Sequence, residues 1–217
     1  YVSGMHGRMR HQGNVITRDD LSHPVDADKG ANLTNFSGMF PVDDYLEPGS
    51  DIVALMVAEH QMSVQNLITR AGWEARGALD ADPVSPCVEA LAEPLVHAML
   101  FVDEAALSGP ISGTSGFRSH FENRGPWDHR GRSLRRLDLT KRLFRYPLSY
   151  VIYSAAFDAL PRPVKERVYL RVWEVLANKD RSEAFDHLSD TDRAGTLGIL
   201  RATKADFARW MAANGVG

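Results

Sequence analysis

The sequence predicts an all-α fold: an irregular helical array around one long central helix, preceded by an irregular N-terminal arm. Three observations predict it. A turn at Glu47-Pro48-Gly49 opens a stretch of helical spacing that runs from Ser50 to Asp80. Downstream segments again repeat apolar residues at steps of three and four, the helical period. The strongest strand signal, the β-branched and aromatic run Ser149 to Ser154, is weak and has helical patterns on both flanks.

Residues 1–49 carry no sustained period and are punctuated at Gly13-Asn14, His23-Pro24 and Phe40-Pro41. A structureless stretch of this length is uncommon inside a compact domain. It reads as an arm laid over a helical domain of residues 50–217 through Val15, Ile16, Leu33, Phe36, Met39, Phe40 and Leu46. The sharper alternative is an arm that packs against a partner or another domain. The long helix starts at a cap, Ser50 or Asp51. Its first turns, Ile52 to Ala58, are apolar on every side, which predicts burial all round. Beyond them Val53, Val57, Val64, Leu67, Ile68, Ala71 and Ala75 continue one apolar stripe, while Glu59, Ser63, Asn66, Arg70 and Glu74 form a polar seam.

A second helix is expected from Val84 or Pro86 to Leu107, with Val88, Leu91, Leu95, Met99 and Val102 facing the core and a kink or break at Pro94. Ser108 to Gly116 reads as a glycine-rich loop, and Phe117 to Asn123 as a short helix. The spacing of Leu139, Leu143 and Tyr146 predicts a helix from Ser133, with Asp138 and Arg142 placed for an ion pair. Pro147 ends it and opens an apolar helix to Leu160. Pro163 fits the first turn of the next helix, where Val164, Val168, Val172 and Val175 share a face until Asn178. Ser189 to Asp192 and Thr203 to Asp206 each read as a capped start, with an acid three residues after the hydroxyl. The last helix buries Phe207, Trp210 and Met211 and stops at Asn214-Gly215. The expectation is six to eight helices.

A chain of 217 residues is long enough to bury about 70% of its unfolded surface without staples. The apolar fraction of 44% and charged fraction of 24% are those of a globular protein. A formal net charge of −3 gives no general attraction to nucleic acid. No apolar run reaches the roughly 20 residues of a membrane span. The single Cys87 excludes an internal disulfide framework, a Cys-rich zinc site and a Cys-x-x-Cys-His haem attachment within these residues. The chain opens on Tyr1 with no basic and apolar leader pattern after it, so it reads as an internal fragment or a processed chain.

Candidate chemistry centres on the eight histidines. They match neither a His-Glu-x-x-His zinc helix nor a pair of Glu-x-x-His helices. His60 follows Glu59 inside the long helix beside apolar neighbours. It is either a metal or haem ligand, or a general base, or an interior histidine with a hydrogen-bond partner. Glu93 and His97, four apart, can share a metal or form a surface ion pair, and Glu183 and His187 repeat that spacing; Glu59 and His60 are further candidate metal ligands. The run from Met5 and His6 to His11 is dense in thioether and imidazole, the axial ligands of haem iron. The amides of Gly113, Thr114, Ser115 and Gly116, just before a helix, could cradle an anion. Arg135 and Arg142, in the basic run Arg130 to Arg145, could supply its countercharge or pair with the acids of the arm. Cys87 reads as a small buried residue.

The run Ser50 to Val57 with Glu59-His60-Gln61, and the run from Leu137-Asp138-Leu139 through Arg142 to Pro147 and Tyr150 to Ser154, resemble parts of a family of uncharacterised bacterial proteins. Some of its members carry c-type haem motifs upstream of this region. The resemblance spans most of the chain and implies an exported, periplasmic protein near an electron-transfer partner; a cytoplasmic location remains compatible with the residues themselves. The leading expectation is a non-catalytic helical domain beside a redox cofactor, haem or metal, held by an upstream domain or a partner protein. Met5, His6, His11 and His60 are its candidate ligands. The alternatives are a protein or enzyme for an anionic small molecule, using the loop and the arginines, and a structural or homo-oligomerisation domain.

Overall fold

The computed structural model describes residues 1–6, 14, 30–81 and 87–216. The fold is mostly helical, with seven α-helices and one two-stranded sheet among the described residues, and the N-terminal arm is irregular. The chain forms two compact units of interleaved segments. The first comprises residues 1–59, 105–124 and 137–143; the second comprises 60–104, 125–136 and 144–217.

In the first unit, strand β1 (Met5–His6) pairs antiparallel with β2 (Ile111–Ser112). The preceding residues run beside the start of helix α1 (Ile52–Ala81): Ser3 donates its amide to Ser50 and accepts that of Ile52, at 2.7 and 2.8 Å. Gly4 has φ +150, and a Cβ there would lie 2.3 Å from Ile52 Cγ2, so this approach requires glycine. A short helix α3 (Phe117–Glu122) follows β2, as its spacing predicts. Residues 138–143 are a tight turn and not the expected helix. Leu139 has φ +61, and the Asp138 carboxylate accepts the amides of Thr140 and Lys141, each at 2.9 Å. A short acid that binds nearby amides competes with helical bonding, and here it wins.

Helix α1 caps on Asp51, whose Oδ1 accepts the Val53 amide at 2.8 Å. Its first turns correct the expectation of burial on every side. Ile52, Val53 and Val57 are buried, but Leu55 is 40% exposed and Ala58 faces solvent. Small or single apolar side chains cost little at a surface, so apolar composition does not compel burial all round. From His60 on, Val64, Ile68, Ala71 and Ala75 are buried on one face, and Met62 and Trp73 are exposed on the other.

In the second unit, α2 (Cys87–Met99) packs along α5 (Arg162–Leu176). Ala92, Leu95, Val96 and Met99 meet a valine face on α5 whose four members are fully buried, as their spacing predicts. Pro94 lies within α2 without ending it. The helix stops at Met99, well short of Leu107, because Phe101 adopts φ +61 and the Val102 amide bonds back to His97. This is a Schellman ending. The expected helix from Pro147 to Leu160 divides into a 3₁₀ turn (Tyr150–Tyr153) and α4 (Ala155–Asp158). Ser149 and Ser154 cap the two pieces and so separate them.

Helix α6 (Asp190–Thr203) opens on a complete capping box at Ser189 and Asp192. Helix α7 (Ala205–Ala213) does not use the box expected at Thr203. Its N-cap is Lys204, and the Thr203 hydroxyl instead bonds Ile199 and Tyr153. Arg193 on α6 is 3% exposed and donates to the carbonyls of Val175, Asp180, Phe185 and Leu188. Its removal strands those carbonyls in the interior. Arg193→Met is expected to lower unfolding free energy by about 3 kcal/mol, read from a denaturant midpoint.

Candidate functional site

His60 is the first residue of the second unit's part of α1. Its ring stacks on Phe101 at 4.7 Å between centroids and tilts against Phe144 at 5.3 Å. Its Nε2 is 2.8 Å from Ser149 Oγ. Ser149 Oγ also accepts the Val151 amide at 3.3 Å, which leaves the hydroxyl hydrogen for the imidazole. Next to His60, Gln61 accepts the Tyr150 hydroxyl at 2.7 Å, and Arg135 lies 4.4 Å over the Tyr150 ring. Phe101 reaches the imidazole from a left-handed backbone position that is costly for a bulky residue, so strain is stored against the ring. Burial disfavours the imidazolium and moves its pKa from 6.5 down to about 4. At neutral pH the ring is therefore uncharged.

A neutral imidazole on a serine hydroxyl is the first half of a nucleophile–base pair. Ser149, however, is fully buried and serves as a helix cap, so no substrate carbonyl reaches Oγ in this conformation. The pair joins the start of the 3₁₀ turn to α1. Ser149, Phe101 and Tyr150 were invisible as partners of His60 in the sequence, because none lies near it along the chain. The only sequence sign was that an interior imidazole needs a hydrogen-bond partner.

The other candidates fall elsewhere. Met5 is 43% exposed and His6 half-buried in β1, where neighbouring side chains leave opposite faces of the strand. The two therefore do not offer one iron a common side. His11 lies outside the described residues. Glu59 is exposed and, one residue from His60, points about 100° away around the helix. Glu93 binds Arg171 through both oxygens, each at 2.9 Å, and lies 3.4 Å from His97 Nε2. Arg171 hydrogen bonding holds its carboxyl below the ordinary range, against burial. Among the described residues no group of three or more His, Cys, Asp or Glu side chains is placed to hold a metal ion.

The glycine-rich loop does bind an anion, and the anion is Asp51. Oδ2 accepts the amides of Thr114 and Ser115 at 3.1 and 2.9 Å and the Ser115 hydroxyl at 2.6 Å. A Cβ on Gly113 would lie 2.2 Å from Asp51 Oδ1. Burial raises the Asp51 pKa, but the bonds from Ser115, Val53 and Ala54 together outweigh it and hold the carboxylate below its ordinary value. The Gly116 carbonyl accepts the Ser119 hydroxyl at 2.9 Å. Arg135 donates to the Gly125 carbonyl at 2.9 Å, and Arg142 is half-buried in the 138–143 turn. Comparisons of the chain with protein-family models, curated proteins and solved structures find no match.

Two outcomes follow from this chemistry. The folded chain resists protonation of His60 while the unfolded chain accepts it near 6.5, so stability is full above that pH and falls as pH drops to about 4. The loss amounts to about 3 kcal/mol, measured as the difference between the wild type and His60→Gln across that window. Asp51→Gly costs about 1–2 kcal/mol for the lost cap and loop bonds. The variant recovers about 1 kcal/mol in sulfate at several times its dissociation constant, in a thermal shift that the wild type does not show.

Proposed function

We propose that this chain is a non-catalytic helical domain of an exported redox protein, standing beside a haem or metal held by another segment or by a partner protein. The redox setting comes from the family resemblance of the Ser50–Gln61 and Leu137–Ser154 runs. The observation that carries the non-catalytic part is the engagement of His60: its Nε2 is on buried Ser149 and its ring on Phe101. An axial ligand must present a ring nitrogen to iron, and a general base must present one to substrate. Here the imidazole is turned to holding α1 on the 3₁₀ turn. Glu93, bidentate on Arg171, supports the same reading for the second candidate pair.

The test is a titration of the purified chain with haemin and with Zn²⁺, followed by visible absorption and calorimetry, beside an assay with a chromogenic acetate ester. The expected result is no Soret shift, no saturable metal uptake and no ester turnover dependent on Ser149. A bound chromophore abolished by His60→Ala, or hydrolysis abolished by Ser149→Ala, overturns the reading.

A further inference from the structure

Within the first unit, residues 36–48 of the arm leave and return to one point. The Phe36 amide donates to the Pro48 carbonyl at 2.8 Å. On either side of that bond the chain is tied down again, Gly4 to Leu33 and Ser3 to Ser50, at 2.8 and 2.7 Å. Inside it, the Met39 amide donates to Phe36 and the Tyr45 amide to Val42, at 2.8 and 3.0 Å, which makes two turns. A surface segment closed at its base and packed by its own side chains is an Ω-loop. The packing is a ladder of rings. Buried Phe36 lies 5.6 Å from Phe40, and Phe40 lies 5.6 Å from Tyr45. The Tyr1 ring rests on both phenylalanines, at 5.7 and 5.5 Å.

The ladder ends in solvent. Tyr45 is 64% exposed and Leu46 wholly so, in contrast to the packing on the helical body expected of Leu46. An exposed aromatic and aliphatic pair on a loop of fixed shape is the kind of anchor that interfaces use. Charge selects what covers it. Asp43, Asp44 and Glu47 flank the pair in the chain and are all exposed. Among the described residues no ion pair or hydrogen bond engages their carboxylates. From Gly30 to Glu59 the chain holds no lysine or arginine to neutralise them. The three acids are not placed to share a metal ion. Their complement is therefore several cations carried on one chain. Arginine suits both halves of the surface, because a guanidinium stacks on a ring and forks onto a carboxylate.

We propose that the 36–48 loop docks an arginine-rich segment of a partner protein, with Tyr45 and Leu46 as its apolar anchor and Asp43, Asp44 and Glu47 as its charged rim. The surface is small and its charges are hydrated, so the contact is a weak one that salt screens. The inference stands apart from the redox reading and survives its failure, since peptide binding is read without haem or metal.

The test is fluorescence anisotropy of a labelled nona-arginine peptide titrated with the chain up to about 1 mM, at low and at physiological salt. Saturable binding that weakens with salt is expected. Tyr45→Ala, at an exposed position and with unchanged circular dichroism, is expected to raise the dissociation constant about fivefold, and Tyr45→Phe to leave it unchanged. Asp43→Asn with Asp44→Asn is expected to raise it about tenfold. Glu183→Gln with Asp186→Asn removes the same charge from exposed positions of the second unit and is expected to change nothing, which separates docking from general attraction. No binding at the highest concentration overturns the proposal. So does binding indifferent to Tyr45→Ala, an equal loss in the two charge-neutralised variants, displacement of the peptide by stoichiometric calcium, or a Tyr45-dependent dimer of the chain in place of the complex.

Discussion

The end of α5, the loop after it and the start of α6 converge on one guanidinium. Arg193 is buried and offers its donors to four main-chain carbonyls. A helix end leaves carbonyls without intrahelical partners, and a buried loop adds more. Water cannot satisfy them in the interior, so a planar, permanently charged group with fixed donors does. The valine face of α5 then needs only apolar neighbours from α2, because the polar demand at its end has already been met. The neighbouring Arg171 acts at the surface of the same helix, joining Glu93 on α2 to Asp180 past the α5 terminus. Being partly hydrated, that network orients the helices more than it stabilises them.

The same inward use of polar groups governs His60. An imidazole in an aromatic nest is held uncharged, and its hydrogen bond to Ser149 fixes where α1 meets the 3₁₀ turn. The strained backbone at Phe101 has its reason there: the chain leaves α2 in the one direction that lays the ring on the imidazole. Strain of this kind persists only when its surroundings over-determine it. Ser149, Phe144 and Tyr150 are those surroundings.

Much of the fold was legible in the residues. Valines at near-ideal spacing announced α5, the Ser189 box announced α6, and Asn178 and Gly215 announced two helix ends, each at a positive φ that those residues tolerate. The third ending of the same type, at Phe101, was hidden, since a phenylalanine carries no such signal. The segment from Ser133 to Tyr146 misled because its apolar residues are buried, as a helical period implies, yet on a looped backbone. Asp138 was the local clue, as a turn former. Serines 149 and 154 likewise broke an apolar run that periodicity alone read as continuous.

The candidate site was legible in chemistry but not in partners. Exposed amides before a short helix did call for an anion, and a capping acid did open the long helix. That the two demands are met by one carboxylate, 63 residues away from the loop it binds, is a long-range fact that no local pattern encodes. Once Asp51 fills the loop and Ser149 fills the imidazole, these two groups face inward in the service of the fold.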